Sequence, residues 1–304
     1  MRHVVDAHLH VWDPARASYP WLVGGPAVID RALALEDVAP ELDEAGITSV
    51  VLVQSADDPA DTALMLESAR RHDRVAGVVA YAPLHDPAEA ERVLDRYRTD
   101  EPVVCGVRVL VHEQPDPWWL LREEVLEGLA ALARHGLPFD VVAVRTEHLR
   151  SALRISELLP DLTLVLDHLG APPLDGGREG EWWDLLGALA SNPRACAKVS
   201  GLYPGSGADV LQRVRPPVEH ALEVFGAARL MYGGDWPISL LHGGYATSWP
   251  LTRELLRGLS GPEREDVLAG TATRVYGLPS RVGSSPTTAT APGDEPTPTT
   301  TEDL

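Results

Sequence analysis

Lysine is almost missing from this chain of 304 residues: Lys198 is the only one among 26 basic residues. Drift in genomic base composition replaces surface lysine by arginine, so a lysine that survives inside an apolar run, ACAKVSGL, is a candidate functional residue. Cysteine is scarce too. Cys105 and Cys196 both lie in apolar, strand-like runs, which excludes a disulfide framework and fits a reducing compartment. No apolar run approaches the ~20 residues that a membrane span needs. The N-terminus, MRHVVDAHLH, lacks the apolar stretch and small-residue cleavage site of a secretory signal. A cytoplasmic location is the expectation. Positive charge is outweighed: the formal net charge of −19 argues against nucleic acid or an anionic membrane as partner. It leaves open an anionic small molecule in a locally positive pocket. No GxGxxG follows the first apolar run, so a dinucleotide site is not expected, and no short tandem repeat is present.

What the chain has is alternation. Short Val- and Leu-rich runs bounded by Gly, Pro or Asp predict strands at Val4–His8, Thr48–Gln54, Ala76–Ala82, Val103–Leu110, Phe139–Val144, Leu162–His168, Ala195–Gly201 and Leu230–Asp235. Between them lie helical patterns at Leu35–Ala45 (stopped by Gly46), Asp58–Arg71 and Asp86–Arg98 (both opened by Asp-Pro), and Trp118–Arg134. Others follow at Glu147–Leu159, Trp182–Ala190, Asp209–Phe225, Thr252–Leu259 and Pro262–Val275. The strands are apolar almost throughout, as parallel strands buried on both faces are. Eight such units predict an α/β protein, a (β/α)8 barrel, with an open doubly wound sheet as the second choice. The expected division is a barrel domain over 1–280 and a Ser/Thr/Pro-rich acidic tail over 281–304. From Ser284 onward almost nothing apolar remains to bury, so the tail is expected to be disordered.

In such a barrel the chemistry collects at the carboxyl ends of the strands. The first strand ends in His8-x-His10, and residues two apart in an extended chain point the same way. An isolated HxH is more often two satisfied histidines than a ligand pair. Here the other strand ends supply partners: Arg108 on the fourth, Asp140 on the fifth, Asp167-His168 on the sixth, Lys198 on the seventh and Asp235 on the eighth.

These residues sit in segments that resemble a known family. His8-x-His10, DHLG at Asp167–Gly170 and GGDWPISLL at Gly233–Leu241 resemble the amidohydrolase superfamily. More narrowly they resemble its sugar-lactonase branch, which includes L-fuconolactonases, L-rhamnonolactonases and 2-pyrone-4,6-dicarboxylate lactonase. YPWL at Tyr19–Leu22, GVR at Gly106–Arg108, EQPDPWWL at Glu113–Leu120, KVSGL at Lys198–Leu202 and GTATRVYGL at Gly270–Leu278 are similar to further segments of that branch. Two positions depart from it. Val109 stands where the branch often has histidine, and Ala171 where it often has lysine.

The resemblance implies a TIM barrel of the metal-dependent hydrolase type and a hydrolase that opens a small sugar or aldonate lactone. Asp235 would be the general base. His8, His10 and His168, with Lys198, would donate to the carbonyl oxygen or hold one metal, and Arg108 would position the substrate. Tyr19, Trp21 and Trp236 would wall the pocket, with core packing as the competing reading. Binuclear relatives use a carbamylated lysine or glutamate on strand four and histidine on strand five. Arg108 and Asp140 here leave at most one divalent ion on His8, His10, His168 and Asp235, with zinc favoured, or none. The alternative is a zinc-dependent decarboxylase of an unsaturated or aromatic acid. A third reading is a catalytically inactive binding protein on an enzyme fold.

Overall fold

A computed structural model describes residues 3–279 apart from 176, 179, 206 and 208. The tail expected from the composition lies outside the described residues. Strand and helix alternate: β1 (Val5–Leu9), α1 (Leu35–Ala45), β2 (Ser49–Val53), α2 (Pro59–Arg71), β3 (Val75–Ala80), α3 (Pro87–Asp100) and β4 (Val104–Val109). The second half continues with α4 (Glu123–His135), β5 (Phe139–Val141), α5 (Thr146–Leu158), β6 (Leu164–Leu166), α6 (Trp182–Ala190), β7 (Ala195–Val199), α7 (Val210–Phe225) and β8 (Leu230–Tyr232). Three helices close the chain: α8 (Gly244–Leu255), α9 (Gly261–Glu265) and α10 (Thr271–Tyr276).

Local chemistry sets most of these boundaries. Asp58 and Asp86 cap α2 and α3, their carboxylates accepting from the Ala60 and Glu89 N–H groups, with proline at the next position. Helices α1 and α4 stop at Gly46 and Gly136, both in the left-handed region that glycine enters without strain.

The strands run in the order β1 to β8, each parallel to the next. Between β8 and β1 the seam is made by the residues just past β8. Asp235 N–H donates to the His8 carbonyl and His10 N–H to the Trp236 carbonyl, both at 2.7 Å. The result is a nearly closed (β/α)8 barrel, as the alternation predicts.

Three differences from the predicted elements have physical causes. Strands β6 and β8 end earlier than their apolar runs. His168, Leu169 and Asp235 have positive φ and turn the chain out of the ladder into the mouth. Helix α8 begins well before Thr252. Pro250 lies inside it, where the missing N–H removes one ladder bond without ending the helix. The run expected as one helix from Pro262 is α9 and α10 joined by a wider π turn over Asp266–Gly270.

The barrel has two apolar zones and a polar layer between inner zone and mouth. Leu9, Val50, Leu52, Val78, Ala80, Leu164 and Leu166 face the helices in the outer core. Val5, Val51, Val79, Val165 and Met231 meet Ala272, Tyr276 and Leu278 from the C-terminal segment, which plugs the amino end. The β1 register slips between Asp6 and Leu9. Ala7 therefore joins the inner cluster while His8, its neighbour, also reaches the interior.

Candidate active site

Above the plug lies a layer of buried charge. Lys198 donates to Asp140 at 2.6 Å and lies 3.1 Å from Asp167. Arg108 donates to the other Asp167 oxygen at 2.9 Å and to the Gln54 carbonyl. Tyr276 donates to Asp140 from below. Two cations and two carboxylates balance, the condition under which charge is tolerated so deep. Burial pulls the Lys198 ammonium down, but Asp140 and Asp167 more than offset it, and it stays charged. Burial likewise raises Asp167, and Lys198 and His8 hold it well below the ordinary carboxylate range.

On this layer stand the strand-end histidines. His8 Nδ1 lies 3.2 Å from both Asp167 Oδ1 and Lys198 Nζ. Its Nε2 lies 3.1 Å from His10 Nε2 and 3.6 Å from Asp235 Oδ1, and His10 Nε2 is 3.4 Å from the same oxygen. Burial pushes His8 well below the ordinary imidazole value, so it is neutral at pH 7. Burial also raises Asp235, but the neighbouring His168, His10 and His8 overcome this and keep it ionised.

These positions test whether the residues suit a metal. His10 Nδ1 donates at 2.7 Å to the Val53 carbonyl, which only accepts, and its Nε2 is turned to His8 and Asp235. The single proton of His8 has two places. On Nε2 it bridges to His10. On Nδ1 it faces Asp167 and leaves two imidazole nitrogens and a carboxylate oxygen converging, with Arg108 Nη1 3.3 Å from the His8 nitrogen. Their separations of 3.1, 3.4 and 3.6 Å fit the spacing of about 3.4 Å that a tetrahedral ion with ~2.1 Å bonds imposes. A carboxylate behind a ligating histidine is the usual support for such a site. His8, His10 and Asp235 therefore fit one divalent ion.

His168 stands beside them, its ring centroid 4.5 Å from that of His8 and its Nε2 4.0 Å from Asp235 Oδ1. Its Nδ1 shares a 2.8 Å hydrogen bond with Ser200. Burial lowers it, so it too is neutral at pH 7. Its ring lies over Gly201, where an added Cβ would sit 2.4 Å from Nδ1.

The other expected site residues divide. Lys198 has no exposed surface and lies beneath His8, its Nζ 3.2 Å from His8 Nδ1. Tyr19 is buried and donates to Asp61 at 2.8 Å, and Trp236 is 1% exposed. Both belong to the buried core cluster. Trp21 is half-buried and donates to the Ser55 carbonyl. Arg108 is buried, with its guanidinium donating to Asp167 and the Gln54 carbonyl and lying 3.3 Å from His8 Nε2. Val109 belongs to the outer core, whereas Ala171 is exposed just past His168.

Some participants were not picked out in the sequence. Ser200 holds His168. Tyr203 donates to Asp235 Oδ2 at 2.9 Å and stacks on His242 at 4.1 Å and 11°. Asp6 accepts from Tyr245 and from the Gly234 and His8 N–H groups, bracing the β8–β1 seam. A signal existed for the first two: both lie within four residues of the β7 end, where barrel chemistry collects. A cavity of about 760 Å³, lined by Ser200, Tyr203, Gly233 and His242, opens beside Asp235 on the β7–β8 side. Another of about 840 Å³, lined by Val4, Arg253 and Leu268, lies away from the strand carboxyl ends.

A profile of the amidohydrolase family matches residues 5–278. The chain is 32% identical to an L-fucono-1,5-lactonase from Burkholderia ambifaria, over 90% of this chain and 94% of that protein. It is 30% identical to an L-fucono-1,5-lactonase from Burkholderia multivorans, over 90% and 96%. Among solved structures it resembles an amidohydrolase from Burkholderia multivorans with zinc bound. That match has a TM-score of 0.82 and 29% identity, and covers 91% of this chain and all of the other.

Proposed function

The chain belongs to the amidohydrolase family, and we propose that its reaction is the hydrolysis of a small sugar or aldonate lactone. Its similarity to two L-fucono-1,5-lactonases over nine-tenths of its length supports hydrolysis over decarboxylation. The observation that carries the mechanism is the position of Asp235. The carboxylate is ionised and buried, its Oδ1 turned to His8 and His10 and its Oδ2 toward a cavity-lining tyrosine.

Asp235 takes the proton of the attacking water on Oδ2 as that oxygen adds to the lactone carbonyl. Negative charge then gathers on the carbonyl oxygen. With the Ser200 hydroxyl donating to Nδ1, His168 carries its proton on Nε2 and donates to that oxygen. Arg108 and Lys198 act from below, holding Asp167 and through it the His8 ring. One divalent ion, zinc by donor type, would be held by His8, His10 and Asp235 Oδ1 and would polarise the carbonyl or acidify the water. Ala171, exposed where the branch often has lysine, takes one cation from the rim of the mouth. The sugar preferred here therefore differs at that contact.

The test is acid release by purified protein, metal-replete and chelator-treated, from a panel of aldonolactones and the pyrone dicarboxylate lactone. Turnover of one group of sugar lactones is expected. Asp235→Asn should lower kcat by about 10³-fold while the protein stays folded. Undiminished turnover by a folded Asp235→Asn protein removes the proposed base. No acid release from any lactone removes the lactonase reading and turns attention to release of carbon dioxide.

A further inference from the structure

Opening a lactone by water requires a second proton transfer that the site as described does not supply. The ring oxygen leaves as an alkoxide, a poor leaving group unless it is protonated as the bond breaks. Asp235 acquires a proton from the water, yet its two oxygens face different surroundings. Oδ1 is enclosed by His8, His10 and, at 4.0 Å, His168. Oδ2 accepts from Tyr203 at 2.9 Å. Among the described residues the Tyr203 hydroxyl has no other hydrogen-bond partner. Its oxygen keeps free lone pairs, and the ring lines the 760 Å³ cavity while stacked flat on His242. Hydroxyl oxygens both donate and accept, so a hydroxyl between a carboxyl and a cavity can carry a proton from one to the other.

Resting on the lactonase reading, we propose that Tyr203 is a further catalytic residue, which delivers to the departing ring oxygen the proton that Asp235 removes from water. In the first step a water O–H bond breaks, the water oxygen bonds to the carbonyl carbon, and the proton goes to Asp235 Oδ2. The Tyr203 hydroxyl then turns to accept from Oδ2 and donate to the ring oxygen. In the second step the bond between carbonyl carbon and ring oxygen breaks and its electron pair stays on that oxygen. The oxygen takes the Tyr203 proton as Tyr203 takes the one on Asp235. Lactone and water become hydroxy acid, and both side chains return to their starting forms. The stack on His242 fixes the ring in the position this transfer needs.

The test is the dependence on the leaving group in Tyr203→Phe, which keeps the ring on His242 and removes only the hydroxyl. Two substrates are compared: an aldono-1,5-lactone, whose leaving oxygen is an alkoxide, and dihydrocoumarin, whose leaving oxygen is a phenolate with conjugate-acid pKa about 10. The phenolate departs without a proton donor, whereas attack by water is common to both. Expected is a kcat loss of about 100-fold on the aldonolactone with KM little changed, and a loss within about threefold on dihydrocoumarin. Equal losses on both substrates would assign Tyr203 to placing Asp235 and overturn the relay, as would no loss on either. Melting temperature, read in parallel, shows whether Tyr203→Phe leaves the fold intact. If the wild-type protein opens neither lactone, the lactonase reading itself falls, an outcome distinct from selective failure of the variant.

Discussion

At the scale of the residue, Lys198 shows what one buried charge does. Its ammonium neutralises Asp140 and Asp167 and lies 3.2 Å from His8, with no exposed surface. Lys198→Met fills similar space without charge and leaves two carboxylates to Arg108 alone. Breaking such a pair from one side costs about 3–5 kcal/mol, which urea denaturation should register. A double variant, Lys198→Met with Asp140→Asn, should recover part of it. A loss below about 1 kcal/mol in the single variant would show that the layer does not support the fold. Asp61 gives a prediction in pH. Burial pushes its carboxyl up from 3.8 to about 6, against hydrogen bonds from Ser55 and Tyr19. A carboxyl raised in the folded state favours the protonated form. Its contribution to stability is complete below about pH 4 and lost as pH rises through 6. Asp61→Asn stays neutral throughout. Its stability relative to wild type should therefore improve by roughly 2–3 kcal/mol between pH 4 and 7. A difference that does not vary with pH would mean that Asp61 ionises normally.

At the scale of the element, the site is made where β6, β7 and β8 stop being strands. His168 and Asp235 take positive φ two and three residues beyond the ends of β6 and β8, and His168 Nε2 and Asp235 Oδ1 come within 4.0 Å of each other. The turn after β7 makes room for this. Gly201 has φ +60° and lies under the His168 ring. Gly201→Ala therefore meets both backbone strain and the imidazole. The expected result is loss of the Ser200–His168 hydrogen bond, a stability cost of about 1–3 kcal/mol, and a fall in kcat of up to ~100-fold from misplacing His168. Steady-state kinetics beside thermal melting would separate the two. A variant that melts lower but turns over at the wild-type rate would show that His168 is not needed where it stands.

At the scale of the whole molecule, closure of the barrel and assembly of the site are one event. The backbone groups that join β8 to β1 belong to His8, His10, Asp235 and Trp236. A divalent ion on His8, His10 and Asp235 would therefore clamp the seam and bind the folded chain alone. Zinc added to chelator-treated protein should raise the melting temperature by several degrees. An ion at about 100 times its dissociation constant adds about 2.7 kcal/mol. His10→Ala should abolish the shift. An identical shift in His10→Ala would place the ion elsewhere. Among the described residues no helix is long and apolar enough to cross a membrane.

The sequence by itself determined the eightfold alternation and the parallel strands, and it marked His8, His10, His168 and Asp235 as polar residues at strand ends. These are written in local patterns: apolar runs of strand length, Asp-Pro helix openings, glycine stops, and polar residues at strand ends where Val or Leu would otherwise stand. Tertiary structure alone decided which of the strand-end residues gather around Asp235 and which form the charged layer beneath them. Lys198 lies 58 residues from Asp140 in the chain, and Arg108 lies 59 from Asp167. No local pattern encodes those pairings, because they exist only once the strands are side by side. The same holds for Tyr203, which reaches Asp235 across 32 residues, and for Tyr19 and Trp236. Whether such rings face solvent or core depends on how the barrel seam and its covering helices pack. Spacing fixes which way a side chain leaves its own strand, and packing fixes what it finds there.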